Sequence, residues 1–257
     1  MAKATALITG ASGGIGAELA KLCAAAGYDL ILVARSQARL AELAGGLSQQ
    51  HAIQARVLAV DLADPAAPPE IFAQVRDSTI DILINNAGFG VRGLFAETEW
   101  AAETHLLQVN VTALAHLTKL FLPGMLRRRA GRILNVASTA AFVPGPLMAM
   151  YYASKAFVLS FSEALSNEVK GSGVTVTVLC PGPTHTGFAD AAGITDSNLF
   201  HGPVMEAAAV AREGYAAMMA GKTKVIAGAR NRWLMRGAHL APRSLAAAMT
   251  RKLNAGS

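Results

Sequence analysis

The stretch "YYASK" at residues 151 to 155 places two phenols within about one helical turn of an amine. On a helix, Lys155 shares a face with Tyr151 at i,i+4 and with Tyr152 at i,i+3, so spacing alone permits either pair. A phenol is a weak acid–base group at neutral pH because its ordinary pKa is about 10. A nearby ammonium favours the phenolate and lowers that pKa, which indicates general acid–base chemistry for one of the two tyrosines.

A glycine-rich stretch, "TGASGGIG" at residues 9 to 16, lies between a strand-like run and a helix-like run. Gly10, Gly14 and Gly16 allow a tight turn and a close approach of ligand to backbone, and Ser12 and Ile15 lie between them. The start of the following helix favours a pyrophosphate. The spacing departs from G-x-G-x-x-G because position 19 is leucine. The stretch therefore predicts a dinucleotide site, with an ordinary tight turn as the structural alternative.

The same residues also match G-x-S-x-G, the nucleophile elbow of α/β-hydrolases, which makes Ser12 a rival nucleophile. The context disfavours this hypothesis, because the elbow normally follows several strands and here it follows the first. Its acid and histidine partners would have to be residues such as Asp196 with His201 or His239, and none of them lies in a recognisable setting.

The end of the second strand-like run, "LVARS", indicates which dinucleotide is bound. Ala34 stands where an acidic residue would hold the ribose hydroxyl of NAD, and Arg35 follows it. Arg39 lies one helical turn further on and could assist. Because guanidinium binds phosphate in a fork, we expect NADP(H) rather than NAD(H). The alternative is that Arg35 is a solvated loop residue.

Apolar runs of strand length alternate with helical stretches along the whole chain. The strand-like runs cover residues 5–10, 29–34, 56–62, 81–86, 132–138, 174–180 and 223–228. Fully apolar strands separated by helices predict a parallel sheet covered on both faces. With right-handed crossovers this gives an α/β fold, a Rossmann-like doubly wound sheet of about seven strands.

The chain shows no linker or internal repeat, so we predict a single domain over residues 1–257. Residues 1–130 should form mainly the dinucleotide-binding half, and 131–228 the catalytic and substrate half. Residues 229–257 should form a basic, helical C-terminal extension. One long irregular stretch, from about 183 to 203, is typical of a functional loop.

The composition excludes a disordered chain, with 53% apolar and 16% charged residues. Cys23 and Cys180 suggest no disulfide framework, and no metal site is expected. No uninterrupted apolar run reaches the roughly 18 residues of a membrane span, and the strand-like run beginning within three residues leaves no room for a secretory signal. These features together favour a cytoplasmic location.

The net charge of +6 would suit nucleic acid, membranes or phosphorylated small molecules, or reflect a generally basic surface. We expect no nucleic acid partner. Residues 230–252 carry six arginines and lysines without one carboxylate, mixed with apolar residues such as Trp233 and Leu245. This segment could form a lid, a peripheral membrane contact, a dimer contact or merely a basic terminal helix.

From Thr5 to about Val225 the chain resembles the short-chain dehydrogenase/reductase family, most closely its 3-oxoacyl and steroid-type carbonyl reductases. The resemblance rests on "TGASGGIG", "DL" at 61–62, "NNAG" at 85–88, Asn110, Ser138, "YYASK" and "PGPTHT" at 181–186. It implies a seven-stranded doubly wound domain that transfers hydride to or from nicotinamide. The family's Tyr-x-x-x-Lys pattern, with a serine about thirteen residues earlier, selects Tyr151 and leaves Tyr152 to packing.

The resemblance also implies a role for each matched residue. Tyr151 would be the general acid, Lys155 would also bind the nicotinamide ribose, Ser138 would bind the carbonyl oxygen, and Asn110 would hold a water linking Lys155 to solvent. The implied cofactor contacts are Asp61 to the adenine amino group and Leu62 beside it, Asn86, Ala87 and Gly88 along the adenosine ribose and phosphate, and Pro181, Gly182, Thr184 and Thr186 near the nicotinamide. Gly13 departs from many NADP-using relatives, which carry a basic residue there.

The substrate pocket is expected between residues 138–151 and the loop at 187–203. The predicted substrate contacts are Ser138, Phe142, Leu147 and Phe188, with Val143, Met148, Leu199 and Phe200 nearby. Their apolar character predicts reduction of a hydrophobic ketone or aldehyde, and leaves acyl, steroid-like and xenobiotic carbonyls open. Apolar helices around 111–126 and 156–169 suggest a homodimer or homotetramer, or simply core. A non-catalytic, dinucleotide-sensing binding protein remains the main alternative to an enzyme.

Overall fold

A computed structural model of the protein describes residues 3–200, 202–240 and 242–256. Its strands are β1 (Thr5–Thr9), β2 (Asp29–Ala34), β3 (Ala55–Ala59), β4 (Ile80–Asn85), β5 (Gly131–Val136), β6 (Val174–Cys180), β7 (Thr184–His185), β8 (Met205–Glu206) and β9 (Lys224–Ile226). Seven of them form one parallel sheet in the order β3-β2-β1-β4-β5-β6-β9. The predicted doubly wound sheet is therefore confirmed. The short parallel pair β7–β8 was not predicted, since two-residue strands carry no periodicity.

The helices are α1 (Gly14–Ala25), α2 (Gln37–His51), α3 (Ala67–Gln74), α4 (Trp100–Leu107), α5 (Leu114–Arg128), α6 (Ala149–Glu168), α7 (Phe188–Ala191), α8 (Ala207–Met219), α9 (Ala229–Leu240) and α10 (Arg243–Asn254). A π-helical segment, Gln108–Ala113, joins α4 to α5. The basic segment beyond residue 228 thus forms two helices.

The central strand β1 shows why both faces of the sheet must be covered. Ala6 and Ile8 are buried in one core layer together with Leu19 of α1. Leu7 is buried in the opposite layer together with Leu117 of α5. Successive side chains of a strand point to opposite faces, so an all-apolar strand needs helices on both sides.

The helical run Trp100–Arg128 is long and apolar enough, by length and composition, to cross a membrane. It includes α5, whose Leu117, Phe121 and Met125 are buried in the core. Core helices of globular proteins pass the same test of length and composition. We therefore interpret this run as the helix that covers β4 and β5.

The strand order reverses between β1 and β4, because the chain leaves β1 towards β2 on one side and later adds β4 and β5 on the other. In such sheets a crevice opens at the carboxyl ends of the strands beside this reversal. The glycine-rich turn, "NNAG", Ser138 and "PGPTHT" follow β1, β4, β5 and β6 respectively. The topology therefore brings these four sequence motifs to one edge of the sheet.

Candidate active site

A cavity of about 730 Å³ runs along this edge. The predicted site residues that line it are Gly10, Ser12, Gly14, Ile15, Arg35, Asp61, Leu62, Asn86, Ala87, Gly88, Ser138, Tyr151, Lys155, Pro181, Gly182, Thr184, Thr186 and Phe188. The glycine-rich turn lies in the same cavity as the tyrosine and lysine, which are more than 130 residues further along the chain. The structure thus joins most of the predicted residues in one site.

The glycine-rich turn is held against the loop that follows β4. Gly10 and Gly14 have φ values of +66° and +54°, in the left-handed region that favours glycine. The Asn86 amide donates hydrogen bonds to the carbonyl oxygens of Thr9 (3.0 Å) and Gly10 (3.2 Å). Asn86 therefore braces the turn as well as lining the cavity.

Gly16 has a structural role, because it is buried in α1 beneath the turn and does not line the cavity. A Cβ at this position would collide with the carbonyl oxygen of Gly10 and the amide of Asn86. A glycine here lets the first turn of α1 pack directly beneath the residues that form the cavity wall.

The segment after β6 forms the opposite wall of the cavity. A Cβ on Gly14 would lie 2.9 Å from Cγ2 of Thr186, so Thr186 sits over the glycine-rich turn. The Thr186 hydroxyl accepts a hydrogen bond from the Phe188 amide at 3.2 Å, and Thr184 donates to the Gly182 carbonyl at 2.8 Å. These local bonds hold residues 182–188 in place above the turn.

Arg35 and Asp61 lie at the open rim of the cavity. Arg35 and Arg39 are exposed, and among the described residues neither forms an ion pair. Ser36 caps α2 by accepting from the Arg39 amide at 3.4 Å, which directs the first turn of α2 to this rim. Two guanidinium groups therefore stand beside the cavity without a competing carboxylate as ion-pair partner.

Ser138, Tyr151 and Lys155 meet at the inner end of the cavity. The Ser138 hydroxyl donates to the Pro181 carbonyl at 3.4 Å, accepts from the Ala140 amide at 3.1 Å, and is close enough to the Tyr151 phenol to influence its pKa. The Lys155 ammonium donates to the Val136 carbonyl at 3.0 Å and lies 5.8 Å from the centre of the Tyr151 ring. The two residues are 9% and 5% exposed, so both the phenol and the amine are nearly withdrawn from water.

Burial changes the ionisation of both groups. It raises the pKa of Tyr151 above its ordinary value; the nearby Ser138 hydroxyl acts in the opposite direction, and Tyr152 adds to the rise. Burial lowers the pKa of Lys155 to about 8. The expectation that the pKa of Tyr151 falls below its ordinary value is wrong for this structure, because desolvation is the largest influence on it. At neutral pH the phenol keeps its proton and Lys155 is largely charged.

Asn110 lies in the π-helical segment and is 1% exposed. Its amide donates to the Phe89 carbonyl (3.0 Å) and to Ser154 (3.1 Å), and its oxygen accepts from the Phe89 amide (3.1 Å). Asn110 does not line the cavity. A Cβ on Gly88 would lie 3.0 Å from the Asn110 oxygen and 3.2 Å from the Lys155 nitrogen, so the glycine lets both groups approach. A π-helical insertion of this kind often marks a functional position.

Two of the predicted substrate contacts do not line the cavity. Phe142, at the end of a 3₁₀ turn Thr139–Phe142, lines a second cavity, with the Lys224 ammonium 5.9 Å from its ring centre. Leu147 adopts φ +69°, and its carbonyl accepts from the Gly93 amide at 2.9 Å, in the turn before α6. Neither residue therefore lines this cavity, and their contact with a substrate stays a prediction.

Phe188, Met148 and Leu199 do line the cavity, and the Phe188 ring centre is 5.3 Å from that of Tyr151. The side chain of Phe200 lies outside the described part of the structure, and so do His201 and the side chain of His239. Asp196, the acid of the hydrolase hypothesis, is paired with Arg92 at 2.5 Å.

Several wall residues were not predicted from the sequence: Phe89, His105, Val109, Tyr152 and Ile194. Phe89 directly follows "NNAG", and His105 and Val109 are spaced to share one face of a helix. These two sequence features could have indicated that the three residues line the cavity. Tyr152 was assigned to packing, yet its hydroxyl donates to Asn254 at 3.0 Å. No sequence pattern links these two residues across 102 positions.

The sequence profile of the short-chain dehydrogenase family matches residues 4–196. The chain is 41% identical over 187 residues to a very-long-chain 3-oxoacyl-CoA reductase of Phaeosphaeria nodorum. The matched region covers 66% of this chain and 52% of that protein. This chain therefore spans about half the length of the curated relatives it matches.

Solved structures match almost the whole chain. A short-chain dehydrogenase from Sphingobium yanoikuyae in complex with NADPH is 34% identical with a TM-score of 0.84, covering 92% of this chain and 94% of that one. A short chain dehydrogenase/reductase from Burkholderia phymatum in complex with NAD is 25% identical with a TM-score of 0.82, covering 91% and 92%. The chain belongs to the short-chain dehydrogenase family of oxidoreductases, whose members bind a nicotinamide dinucleotide.

We predict that Gly16→Ala destabilises the turn that forms one wall of the cavity, because its Cβ would overlap the Gly10 carbonyl. Forced overpacking of this kind lowers the free energy of unfolding by about 1–3 kcal/mol. Chemical denaturation measures it. Gly13→Ala is the matched control in the same turn, since its Cβ would meet nothing within 4 Å. Equal effects of the two substitutions would contradict the assignment.

Proposed function

We propose that the protein is an NADP(H)-dependent reductase that converts an apolar ketone or aldehyde to an alcohol. The observation that carries this proposal is the shared cavity. One end holds the glycine-rich turn and Arg35, and the other holds Tyr151, Lys155 and Ser138 among apolar side chains.

The cavity wall suits a dinucleotide. Left-handed glycines at 10 and 14 let a pyrophosphate approach the backbone at the start of α1. Asp61, Asn86, Ala87 and Gly88 line the cavity and would take the adenosine side of the cofactor, and Pro181, Gly182, Thr184 and Thr186 line it above the turn. NADPH bound there would supply the hydride.

In this proposal Tyr151 donates the proton. Burial raises the pKa of the phenol and so keeps its proton on at neutral pH, which is the form that can give a proton to a carbonyl oxygen as negative charge develops there. A raised pKa also makes the phenol a weaker acid, so release of the proton depends on groups that stabilise the phenolate. The Ser138 hydroxyl, which in this structure donates to the Pro181 carbonyl at 3.4 Å, would turn its one O–H towards the substrate oxygen and donate a hydrogen bond beside that of Tyr151. The Lys155 ammonium would stabilise the phenolate that remains.

Asn110 would act indirectly, by positioning Lys155, and not by contact with the reacting atoms. Its bonds to both backbone groups of Phe89 hold Gly88 against Lys155 and so keep the ammonium in place. The water-holding role implied by the family resemblance stays a prediction.

The substrate class follows from the wall beside Tyr151. Phe89, Met148, Phe188, Ile194 and Leu199 are apolar, and the polar groups that line the cavity with them include Ser138, His105 and the phenols of Tyr151 and Tyr152. This arrangement suits a ketone flanked by hydrocarbon. Because a 3-oxoacyl-CoA reductase is among the relatives of this chain, a 3-oxoacyl thioester is the first candidate, ahead of steroid-like and xenobiotic ketones.

We further propose a cytoplasmic protein that associates with anionic membranes through its C-terminal helices. Leu245, Met249 and Leu253 are spaced four residues apart and exposed on α10, while Ala246, Thr250 and Asn254 are buried on its other face. Trp233 on α9 is 70% exposed. Since residues 229–257 contain no carboxylate and several arginines and lysines, their charge complements anionic headgroups.

Self-association is proposed from a separate surface on α5 and α6. Phe157 and Leu126 are among the exposed large apolar residues, and the Phe157 ring stacks on Phe161 at 5.6 Å. Sedimentation of the purified chain would distinguish a homodimer or homotetramer from a monomer.

We expect Tyr151→Phe to lower carbonyl-dependent NADPH oxidation by about 10²–10⁴-fold, because it removes the proton donor. Absorbance at the NADPH band, followed across a panel of apolar ketones, measures it. NADPH binding should persist, and Tyr215→Phe on α8, a tyrosine in the core layer beside α1, should retain full turnover. If the unmodified protein binds NADPH but none of the carbonyl compounds in the panel causes NADPH oxidation, the protein is a dinucleotide-sensing protein instead.

Arg35→Ala should weaken NADPH binding by about 10–100-fold and leave NADH binding nearly unchanged, because only NADPH carries the 2′-phosphate. Fluorescence titration with both nucleotides measures this. Arg76→Ala, which removes an exposed arginine paired with Asp77, is the control. Parallel losses for the two nucleotides would contradict selection of NADP(H) by Arg35.

Met249→Glu should reduce co-sedimentation of the full chain with vesicles containing about 30% phosphatidylserine, since it places a carboxylate among basic residues. Phe95→Glu is the control. Phe95 is about as exposed as Met249 (57% against 59%), but it lies in the loop between β4 and α4 and not on the C-terminal helices. Equal binding to neutral and anionic vesicles, or an equal loss in both variants, would rule out this surface.

A further inference from the structure

The last residues of the described chain lie against the substrate end of the cavity without lining it. Asn254, the final residue of α10, is 1% exposed. Its side-chain oxygen accepts a hydrogen bond from the Tyr152 hydroxyl at 3.0 Å. Its amide donates to the Pro146 carbonyl at 2.9 Å. One side chain therefore joins the chain end to the first turn of α6 and to the turn before it.

The residues beside Asn254 hold the loop on the other side of the pocket. The Asn198 amide side chain donates to the Lys252 carbonyl at 2.9 Å, and its backbone amide donates to the Ala255 carbonyl at 3.2 Å. Gly256 forms an antiparallel bridge with Ser197. Residues 196–198 are in turn tied to the loop after β4 through the Arg92–Asp196 pair.

These contacts converge on residues that shape the pocket. Tyr152 lines the cavity beside Tyr151, and their ring centres are 5.9 Å apart in an edge-to-face arrangement. A Cβ on Gly145 would overlap the Tyr152 ring, so the ring is pressed flat on that backbone. On the loop side, Ile194 and Leu199 line the cavity immediately around the tethered residues.

We propose that Asn254 is a positioning residue, and that residues 254–256 act as a clasp that sets the distance between the first turn of α6 and the 194–199 loop. The clasp thereby determines how the carbonyl substrate sits against Tyr151. This inference rests on the proposed reductase function. It does not involve the dinucleotide end of the cavity, because Gly10, Arg35 and Asp61 make none of these contacts.

Asn254 can have this effect because a buried polar group that loses its hydrogen-bond partner costs more free energy than the intact bond contributes. Removing the Asn254 side chain leaves the Tyr152 hydroxyl and the Pro146 carbonyl without their partner in a buried place, which costs more than the bond itself contributes. Water that enters can hydrogen-bond these two groups and lower that cost, but it then separates the end of α10 from the turn that contains Pro146. The loop then loses the support of its neighbouring tethers.

The test compares Asn254→Ala, Tyr152→Phe and the double variant, with Ser244→Ala as control because Ser244 is an exposed residue of the same helix. We expect Asn254→Ala to raise the KM of the carbonyl substrate about tenfold while the Kd of NADPH stays within about twofold. The double variant should be no worse than Asn254→Ala alone, because both substitutions remove the same contact between Tyr152 and Asn254. Tyr152→Phe removes a single oxygen and keeps the test valid if Asn254→Ala fails to fold.

Hydrogen exchange gives a readout that is independent of activity. Amides at 146–152 and 194–198 should exchange faster in Asn254→Ala, while those at 9–16 should not change. Faster exchange with no carbonyl turnover in the unmodified protein would support the clasp and defeat the reductase proposal. Unchanged exchange at 194–198, full additivity of the two substitutions, or an equal weakening of NADPH binding would overturn the clasp.

Discussion

The burial of a phenol and an amine side by side is the constraint on which the rest of the site depends. Both Tyr151 and Lys155 are withdrawn from water, and desolvation disfavours the charged form of each. Such a pair is costly unless its polar atoms have partners. The Val136 carbonyl at the end of β5 accepts a hydrogen bond from Lys155, and the Ser138 hydroxyl just beyond that strand acts on the Tyr151 phenol by lowering its pKa. The carboxyl end of β5 therefore supplies polar neighbours for both groups, which come from the first turns of α6.

Gly88 and Gly16 are explained better by close packing of the backbone in the site than by a need for backbone flexibility. Gly88 leaves room for the Asn110 oxygen and the Lys155 nitrogen, and Gly16 leaves room for the Gly10 carbonyl and the Asn86 amide. At both places a side chain would occupy the space of a polar group that the site uses. Only Gly10 and Gly14 of the turn need the left-handed conformation itself.

The C-terminal helices link the pocket to the outside of the protein. The inner face of α10 carries Asn254 against Tyr152, and its outer face carries Leu245, Met249 and Leu253. A surface that meets an anionic membrane would thus share one helix with the clasp on the substrate pocket. An apolar carbonyl compound partitions into membranes, so this arrangement is consistent with both proposals.

The sequence by itself determined the layered fold, because apolar strands such as residues 30–34 must be covered on both faces, and four strand ends carry their own motifs. Spacing along one helix placed a tyrosine about one turn from Lys155, and the resemblance to the family selected Tyr151 over Tyr152. Only the tertiary structure decided the ionisation of Tyr151, the exclusion of Phe142 and Leu147 from the cavity, and the contact of Asn254 with Tyr152. Those outcomes depend on how much water reaches a group and on which distant segments meet it, and neither quantity is encoded in the spacing of neighbouring residues.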